Sequence, residues 1–460
     1  MKQKSKSLLK NIGIFTLGSF ASNAVSFLMV PLYTSVLSTS EYGSVDLMSS
    51  TASLLTPILL LSIQDATLRF TMDSNYRKED VLSTSLHVVI KGTIILTGAL
   101  ILIGFLHIIS VSYQYLLFLW MIFVLGAVSS IFNLYLKAKN KAVVIAVSGI
   151  VGTLTVCTCN FLFLVVFKTG IAGYMLSNVI SLTIQIFYQL IVGKIYNDLH
   201  LREYNDLTKP MIAYSSPLIA NSISWWVNNA SDRYILTAMR SVAENGVYTV
   251  AYKIPTILTL FQNIIYNAWS ISAIAEFDEN DTDGFIGSNY ELYSCISILI
   301  CSVLLVMNIP LARFLYKGDF FNAWQCVPFL LLGTVFSGIS QFEGSLYAAV
   351  KETKLVAKTT VIGAVTNTVL NVILIFIFGA IGAAVSTCVG YGITWLLRTI
   401  LMQRFVKMKV RWKKHFISLG VLVCQTIFAT FGSKYFIQIG ILIVLISFSW
   451  NQIGRKFTHA

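Results

Sequence analysis

The sequence predicts an all-α integral membrane protein with about fourteen transmembrane helices, in two six-helix lobes of parallel topology plus two C-terminal helices. Three observations predict it. Of 460 residues, 56% are apolar and only 12% charged, whereas a soluble domain of this size is about a quarter charged. Apolar runs of about 20 residues, enough to span a bilayer, recur along the whole chain. Short motifs also repeat in the same order in both halves.

The runs fall near 12–37, 44–64, 81–109, 113–136, 142–167 and 171–193, then near 211–238, 245–272, 288–312, 323–350, 355–378, 380–402, 415–432 and 434–451. The last two are short, and re-entrant segments there would reduce the count to about twelve. This divides the chain into an N-terminal lobe (1–193), a cytoplasmic linker (194–210), a C-terminal lobe (211–402) and a basic loop with two extra helices (403–460). The basic run before the first span mimics a signal peptide. The apolar stretch that follows is too long for a cleaved signal and lacks a small-x-small site, so it reads as a signal anchor.

Charge placement orients the spans. The loops of one side collect most of the lysines and arginines, among them Lys137, Lys139, Lys141, Lys194 and the stretch Arg398–Lys414. The other side holds Lys168, Arg240, Arg313, Lys317 and Lys434. Cytoplasmic loops carry the basic excess, so both termini are expected inside. One inner loop disagrees, with Glu276, Asp278, Glu279, Asp281 and Asp283, but acidic residues weigh little in this rule. The net charge of +13 forms no continuous basic face, which excludes a nucleic-acid reading. The Arg398–Lys414 stretch is either a topology signal or a site for anionic lipid heads, and Lys194–Pro210 has the pattern of an interfacial helix. The seven cysteines form no CxxC pair or His/Cys cluster, so buried fillers are expected, with no disulfide, metal or cofactor.

The repeat is carried by five matches. Ser22-Asn23-Ala24-Val25-Ser26-Phe27 and Glu41-Tyr42-Gly43 match Ala220-Asn221-Ser222-Ile223-Ser224-Trp225 and Glu244-Asn245-Gly246. Leu134-Tyr135, Asn160 and Gly170-Ile171-Ala172-Gly173 match Leu346-Tyr347, Asn371 and Gly379-Ala380-Ile381-Gly382. Six helices per repeat return the chain to the same side, a parallel layout in which transporters place substrate at the repeat interface. No loop is long enough for a soluble catalytic domain, which argues against a membrane polymerase or glycosyltransferase.

Three basic residues remain inside spans: Lys91, Arg233 and Lys253. A buried charge in a membrane is costly and marks function unless it snorkels. Asp232 precedes Arg233, but adjacent helix positions point apart, so Arg233 should find its partner on another helix. Asp65 and Arg69 are spaced to pair as a gate. Glu343 is a candidate proton- or cation-sensitive carboxylate. The mainly basic sign at depth favours an anionic substrate. Six of the seven prolines lie within predicted helices and should kink them.

The stretch Trp225-Trp226-Val227-Asn228-Asn229-Ala230-Ser231-Asp232-Arg233-Tyr234 strongly resembles bacterial Wzx-type oligosaccharide flippases, of the superfamily that also contains MurJ and the MATE exporters. Lys253-Ile254-Pro255, Ala268-Trp269-Ser270, Pro31-Leu32-Tyr33 and Asp65-Ala66-Thr67-Leu68-Arg69-Phe70 extend the similarity over nearly the whole chain. The resemblance implies two lobes forming a V, alternating access, and no enzymatic activity. It implies a polyprenyl-diphosphate-linked oligosaccharide carried to the outer leaflet of the bacterial plasma membrane. Arg233, Lys253 and Lys91 would then hold the diphosphate, and Asn221, Asn228, Asn229, Trp225 and Trp226 would meet the glycan. Membrane lipids are expected partners, with a polysaccharide polymerase and glycosyltransferases as candidate enzyme partners. A MATE-like multidrug exporter is the rival of the same fold.

Overall fold

The computed structural model describes residues 22–106, 112–200, 204–432 and 435–457, all helical or in turns, with no strand among them. The basic N-terminal run and the start of the span expected at 12–37 lie outside the described residues. Seven helices are long and apolar enough to cross a membrane, or up to nine if each of two bent pairs is one span. The expected fourteen are not reached by this measure, because breaks and polar residues remove several helices from it. Bulky apolar side chains are freely exposed along these helices, as at Phe105 and Phe376, a surface suited to lipid. The chain is a multi-pass membrane protein.

It divides into two compact units, residues up to Leu37 with Ser44–Ala230, and Ser38–Gly43 with the remainder from Ser231. The first holds α1 (Val30–Val36), most of α2 (Thr39–Leu59), α3 (Ile63–Met72), α4 (Lys78–Leu106), α5 (Tyr113–Ala138), α6 (Ala142–Asn160) and α7 (Gly170–Val192). Proline explains two breaks in it. Pro31 stands in the first turn of α1 after a turn at Met29, where its missing N–H costs nothing. Pro57 precedes a break at Leu61 and Ser62, both with positive φ, and α3 leaves α2 at 57°. The core is built on Phe123, Ile131, Tyr135 and Leu136 of α5 against Ile63 and Leu82.

The expected interfacial helix at 194–210 is instead two pieces. Lys194 takes a left-handed backbone, a short 3-10 turn covers Ile195–Asp198, and α8 (Asn205–Met239) has already begun before Pro210. Ile195, Leu207 and Met211 are drawn into the core, and Lys139 pairs with Asp198 at 2.6 Å. Burial and this ion pair win over lying flat on a membrane. Pro210 therefore joins Pro217 inside α8, so all seven prolines stand within helices.

The second unit begins within α8 and adds α9 (Val242–Ala251), α10 (Pro255–Ala275), α11 (Phe285–Val306), α12 (Asn308–Leu315), a 3-10 segment at Gly318–Gln325, and α13 (Val327–Ala349). It is completed by α14 (Thr353–Phe378), α15 (Ala380–Met402), α16 (Trp412–Thr430) and α17 (Tyr435–Phe457). Its core stacks Trp269 on Phe342, rings 4.0 Å apart, with Tyr290 and Tyr293 against the same phenyl. Cys295, Cys301, Cys326 and Cys388 are buried here, whereas Cys424 is exposed, so that one cysteine departs from the filler expectation.

The acidic loop that disagreed with the charge rule has a structural reason. Asp281 is fully buried and accepts hydrogen bonds from the backbone N–H of Ile286, Gly287 and Lys409, each 2.9 Å long. Two of these donors are orphan N–H groups in the first turn of α11, so Asp281 caps that helix although Gly284 holds the cap position. Lys409 also donates from Nζ to the Thr282 carbonyl, and Lys407 N–H to that of Glu279. The acidic loop is thus stitched to the basic one. Asp278, hydrogen-bonded by Thr282 and by backbone N–H groups, is held below the usual carboxylate range. Asp281→Ala would orphan two buried donors and the part-buried Lys409 N–H, and should destabilise the unit by about 2–3 kcal/mol, at about 1 kcal/mol each. Thermal unfolding in detergent checks this, and Asp281→Asn, which keeps one acceptor oxygen, should fall between.

The basic stretch itself is partly withdrawn from any lipid surface. Arg398, expected in an inner loop, lies in α15 and is only 5% exposed. Its guanidinium donates to the Ser340 carbonyl (2.7 Å) and to the hydroxyls of Thr360 (2.8 Å) and Thr359 (3.2 Å). Arg411 clamps Glu291 through Nη2 at 2.7 Å and Nε at 3.1 Å.

The repeats are visible as matched geometry. Gly170 and Gly379 open α7 and α15 with φ of +59° and +57°, a left-handed turn that L side chains resist. Ser38-x-x-Glu41 and Ser241-x-x-Glu244 both start helices, with each serine hydroxyl accepting from the glutamate N–H at 3.2 and 3.1 Å. Within the second unit these two starts cross at glycines. A methyl on Gly43 would overlap the Val242 carbonyl, and one on Gly246 that of Thr39. The Asn245 amide closes the crossing by donating to the Gly43 carbonyl at 3.3 Å.

Candidate functional site

Asp232 is the centre of the most elaborate polar cluster in the second unit. Helix α8 carries it inward, only 3% exposed. The Tyr248 hydroxyl of α9 donates to its Oδ2 at 2.5 Å, and the hydroxyls of Tyr252 and Thr387 lie 3.4 Å from the same oxygen. Behind Thr387 of α15, the Asn367 amide of α14 donates to that hydroxyl at 3.2 Å, and Asn371 donates to the Asn367 oxygen. The Asn371 Oδ1 is buried without a hydrogen-bond partner among the described residues. A buried carboxylate among hydroxyl and amide oxygens can take a proton or a hard monovalent cation, which prefers oxygen donors.

The side chain of Arg233, one residue on, also reaches Tyr252. Its guanidinium lies over the Tyr252 ring, 5.9 Å from the centroid, so its partner does come from beyond its own helix. Lys253 stands in the break between α9 and α10, where Pro255 starts the next helix. A proline N cannot bond the carbonyl four residues back, and this leaves a non-helical turn of Tyr252–Ile254. Asp232, Arg233 and Lys253 therefore share the second unit.

The remaining predicted residues are placed otherwise. Asn221, Trp225, Trp226, Asn228 and Asn229 belong to the part of α8 in the first unit. Trp226 is held by its Nε1–H on the Ser50 carbonyl at 2.9 Å, whereas Trp225 is 47% exposed. The Asn229 amide donates to the Trp225 carbonyl, and Asn221 is exposed. Lys91 is exposed on α4 of the first unit. Asp65 and Arg69 stand one turn apart on α3 without forming the expected ion pair. Arg69 is exposed and Asp65 half-buried, and burial holds the Asp65 carboxyl above its usual range. Glu343 is fully buried in α13. The residues missed from sequence were Tyr248, Tyr252, Asn367 and Thr387. Asn371 had already been singled out as a repeat marker, and its i−4 neighbour is the asparagine it binds.

Residues 8–277, more than half the chain, match the family described as polysaccharide biosynthesis protein. The chain belongs to this family. A probable low-salt glycan biosynthesis flippase of Haloferax volcanii, Agl15, is 22% identical over 213 residues, 45% of this family member and 44% of the relative. An uncharacterised membrane protein of Methanocaldococcus jannaschii is 25% identical over 124 residues, 27% and 24% of the two chains. The matches thus span less than half the length of these relatives. Among solved structures, the lipid II flippase MurJ in an inward closed conformation superposes with a TM-score of 0.67 at 15% identity, covering 96% of this chain and 99% of that one. An inward-facing multidrug resistance MATE transporter of the MOP superfamily gives 0.61 at 10% identity, over 87% and 95%. At these identities the likeness establishes the fold: the polysaccharide biosynthesis protein has the MurJ- and MATE-like fold implied by its sequence motifs.

Proposed function

We propose that the protein flips a polyprenyl-diphosphate-linked oligosaccharide from the cytoplasmic to the outer leaflet of a bacterial plasma membrane, by alternating access. The observation that carries this reading is a polysaccharide-biosynthesis family member built on a transporter fold. Nearly all of its length is helix and short turn, which supports a transporter and not an enzyme. The Haloferax relative, a probable glycan biosynthesis flippase, supports the same class of cargo. In this reading both termini are cytoplasmic. Lobes 1–193 and 211–402, with the 403–460 extension, supply the moving parts.

Arg233 and Lys253 hold the diphosphate, Arg233 through its paired donors and Lys253 as a point charge, with Lys91 as a further attraction. Trp225 and the asparagines 221, 228 and 229 meet sugar faces and hydroxyls, with Trp226 behind them. Asp232 couples transport to an ion, because emptying or filling its cluster changes a buried charge, and Asp65 with Arg69 guards a mouth. Polymerase and glycosyltransferases act before and after it. Loss of the gene should leave the lipid-linked oligosaccharide trapped at the inner leaflet and the surface glycan absent. A normal surface glycan in the deletion strain, with altered resistance to organic cations, would instead favour the multidrug exporter.

A further inference from the structure

We infer that the second unit carries a proton-binding site at Glu343, distinct from the Asp232 cluster and reached past His415 and Tyr290. Glu343 is fully buried on α13, where the Thr399 hydroxyl of α15 donates to Oε1 at 2.6 Å and the Tyr290 hydroxyl of α11 also interacts with the carboxylate. Its Oε2 is buried without a hydrogen-bond partner among the described residues. The buried guanidinium of Arg398 is spent on Ser340, Thr359 and Thr360, and forms no ion pair with this carboxylate. Burial dominates over these two hydroxyls and the neighbouring Arg398 charge, so an ionised carboxylate here carries a desolvation cost that a proton removes.

The surroundings select a proton over a metal cation. Thr399 and Trp395 present hydrogen-bond donors, Arg398 is positive, and Phe342, Tyr290 and Trp395 form aromatic walls. A track leads outward from Glu343. Trp395 Nε1–H donates to the Tyr290 hydroxyl at 3.3 Å, and the His415 ring lies 5.4 Å from that of Tyr290. His415 is buried with Nε2 lacking a hydrogen-bond partner among the described residues. Beyond it stands the Glu291–Arg411 pair, whose arginine side chain is 39% exposed. The titratable and charged groups of this neighbourhood are Tyr290, Glu291 and Tyr293 of α11, Arg398 of α15 and His415 of α16. Tyr266 of α10 and Tyr347 of α13 complete them.

Only the role of the proton in transport rests on the flippase reading. Infrared spectra of the purified protein in nanodiscs, recorded across pH, test the site without any substrate. One protonated carboxyl band should titrate across the pH series, persist in Asp232→Asn and vanish in Glu343→Gln. Thr399→Val should raise its stretching frequency by removing the hydrogen bond to the carbonyl oxygen, and His415→Phe should slow its response to a pH jump. A band unchanged in Glu343→Gln, or no titrating band, would overturn the site. Flipping by wild type should vary with pH by up to about tenfold per unit and lose that variation in Glu343→Gln. A wild-type rate indifferent to pH would overturn the coupling role and leave the proton site standing.

Discussion

Arg233→Lys should lower the flipping of a lipid-linked oligosaccharide by about tenfold and Arg233→Ala by about a hundredfold, as hydrogen bonds to charged groups contribute about 1.5–3 kcal/mol and each 1.4 kcal/mol is tenfold. The guanidinium lies 5.9 Å from the Tyr252 ring centroid, and a planar guanidinium can offer paired donors to a diphosphate where a lysine offers a point charge. Lysine keeps the charge but loses the fork and the stacking. The loss should appear with normal protein level, because Arg233 is only half-buried. Equal activity in arginine and lysine forms would reduce the site to charge attraction, and equal activity in alanine would move the anion site elsewhere.

Asp232→Asn should abolish the dependence of flipping on a sodium gradient while leaving the fold intact. Asparagine still offers an oxygen to the Tyr248 hydroxyl, which reaches Oδ2 at 2.5 Å, so packing is retained and only the charge is lost. Asp232→Ala differs, because it orphans the buried Tyr248 and should also destabilise the protein by about 1–3 kcal/mol. Flipping measured with imposed proton or sodium gradients separates the two effects. Gradient dependence that survives in Asp232→Asn would transfer coupling to Glu343, whose environment suits a proton.

The fold was legible in the sequence to the extent that local chemistry fixes it. Hydropathy located seven apolar spans, or up to nine with the bent pairs, and the repeat markers Gly170 and Gly379 both have positive φ in the structure. Glu41 and Glu244 marked matching helix starts, which meet at Gly43 and Gly246. What escaped depends on tertiary placement. Kinks were expected at Pro255, Pro310 and Pro328 and are present, but how far each breaks its helix was not readable from hydropathy. Arg398 read as an inner-side charge because it stands near the end of the 380–402 run, at the start of a basic stretch. Only the packing of α13, α14 and α15 supplies the carbonyl and hydroxyls that bury it.

Of the candidate site, the ionisable residues could be picked out because a charge is conspicuous in an apolar run. The neutral residues that give Asp232 its environment could not. Asn367 and Thr387 look like any small polar residue of a membrane helix, and Tyr248 and Tyr252 like interfacial anchors. Their role comes from convergence of α8, α9, α14 and α15 on one carboxylate. The pairing of Asp65 with Arg69 failed for the converse reason: spacing permits an ion pair, but Arg69 reaches solvent instead.

The central claim is tested most directly by reconstituting the purified protein in vesicles with a labelled polyprenyl-diphosphate oligosaccharide and following its passage between leaflets. The account predicts passage with wild type, absent from protein-free vesicles and strongly reduced in well-folded Arg233→Ala. Vesicles in which wild type moves no lipid-linked glycan but exports organic cations would contradict it.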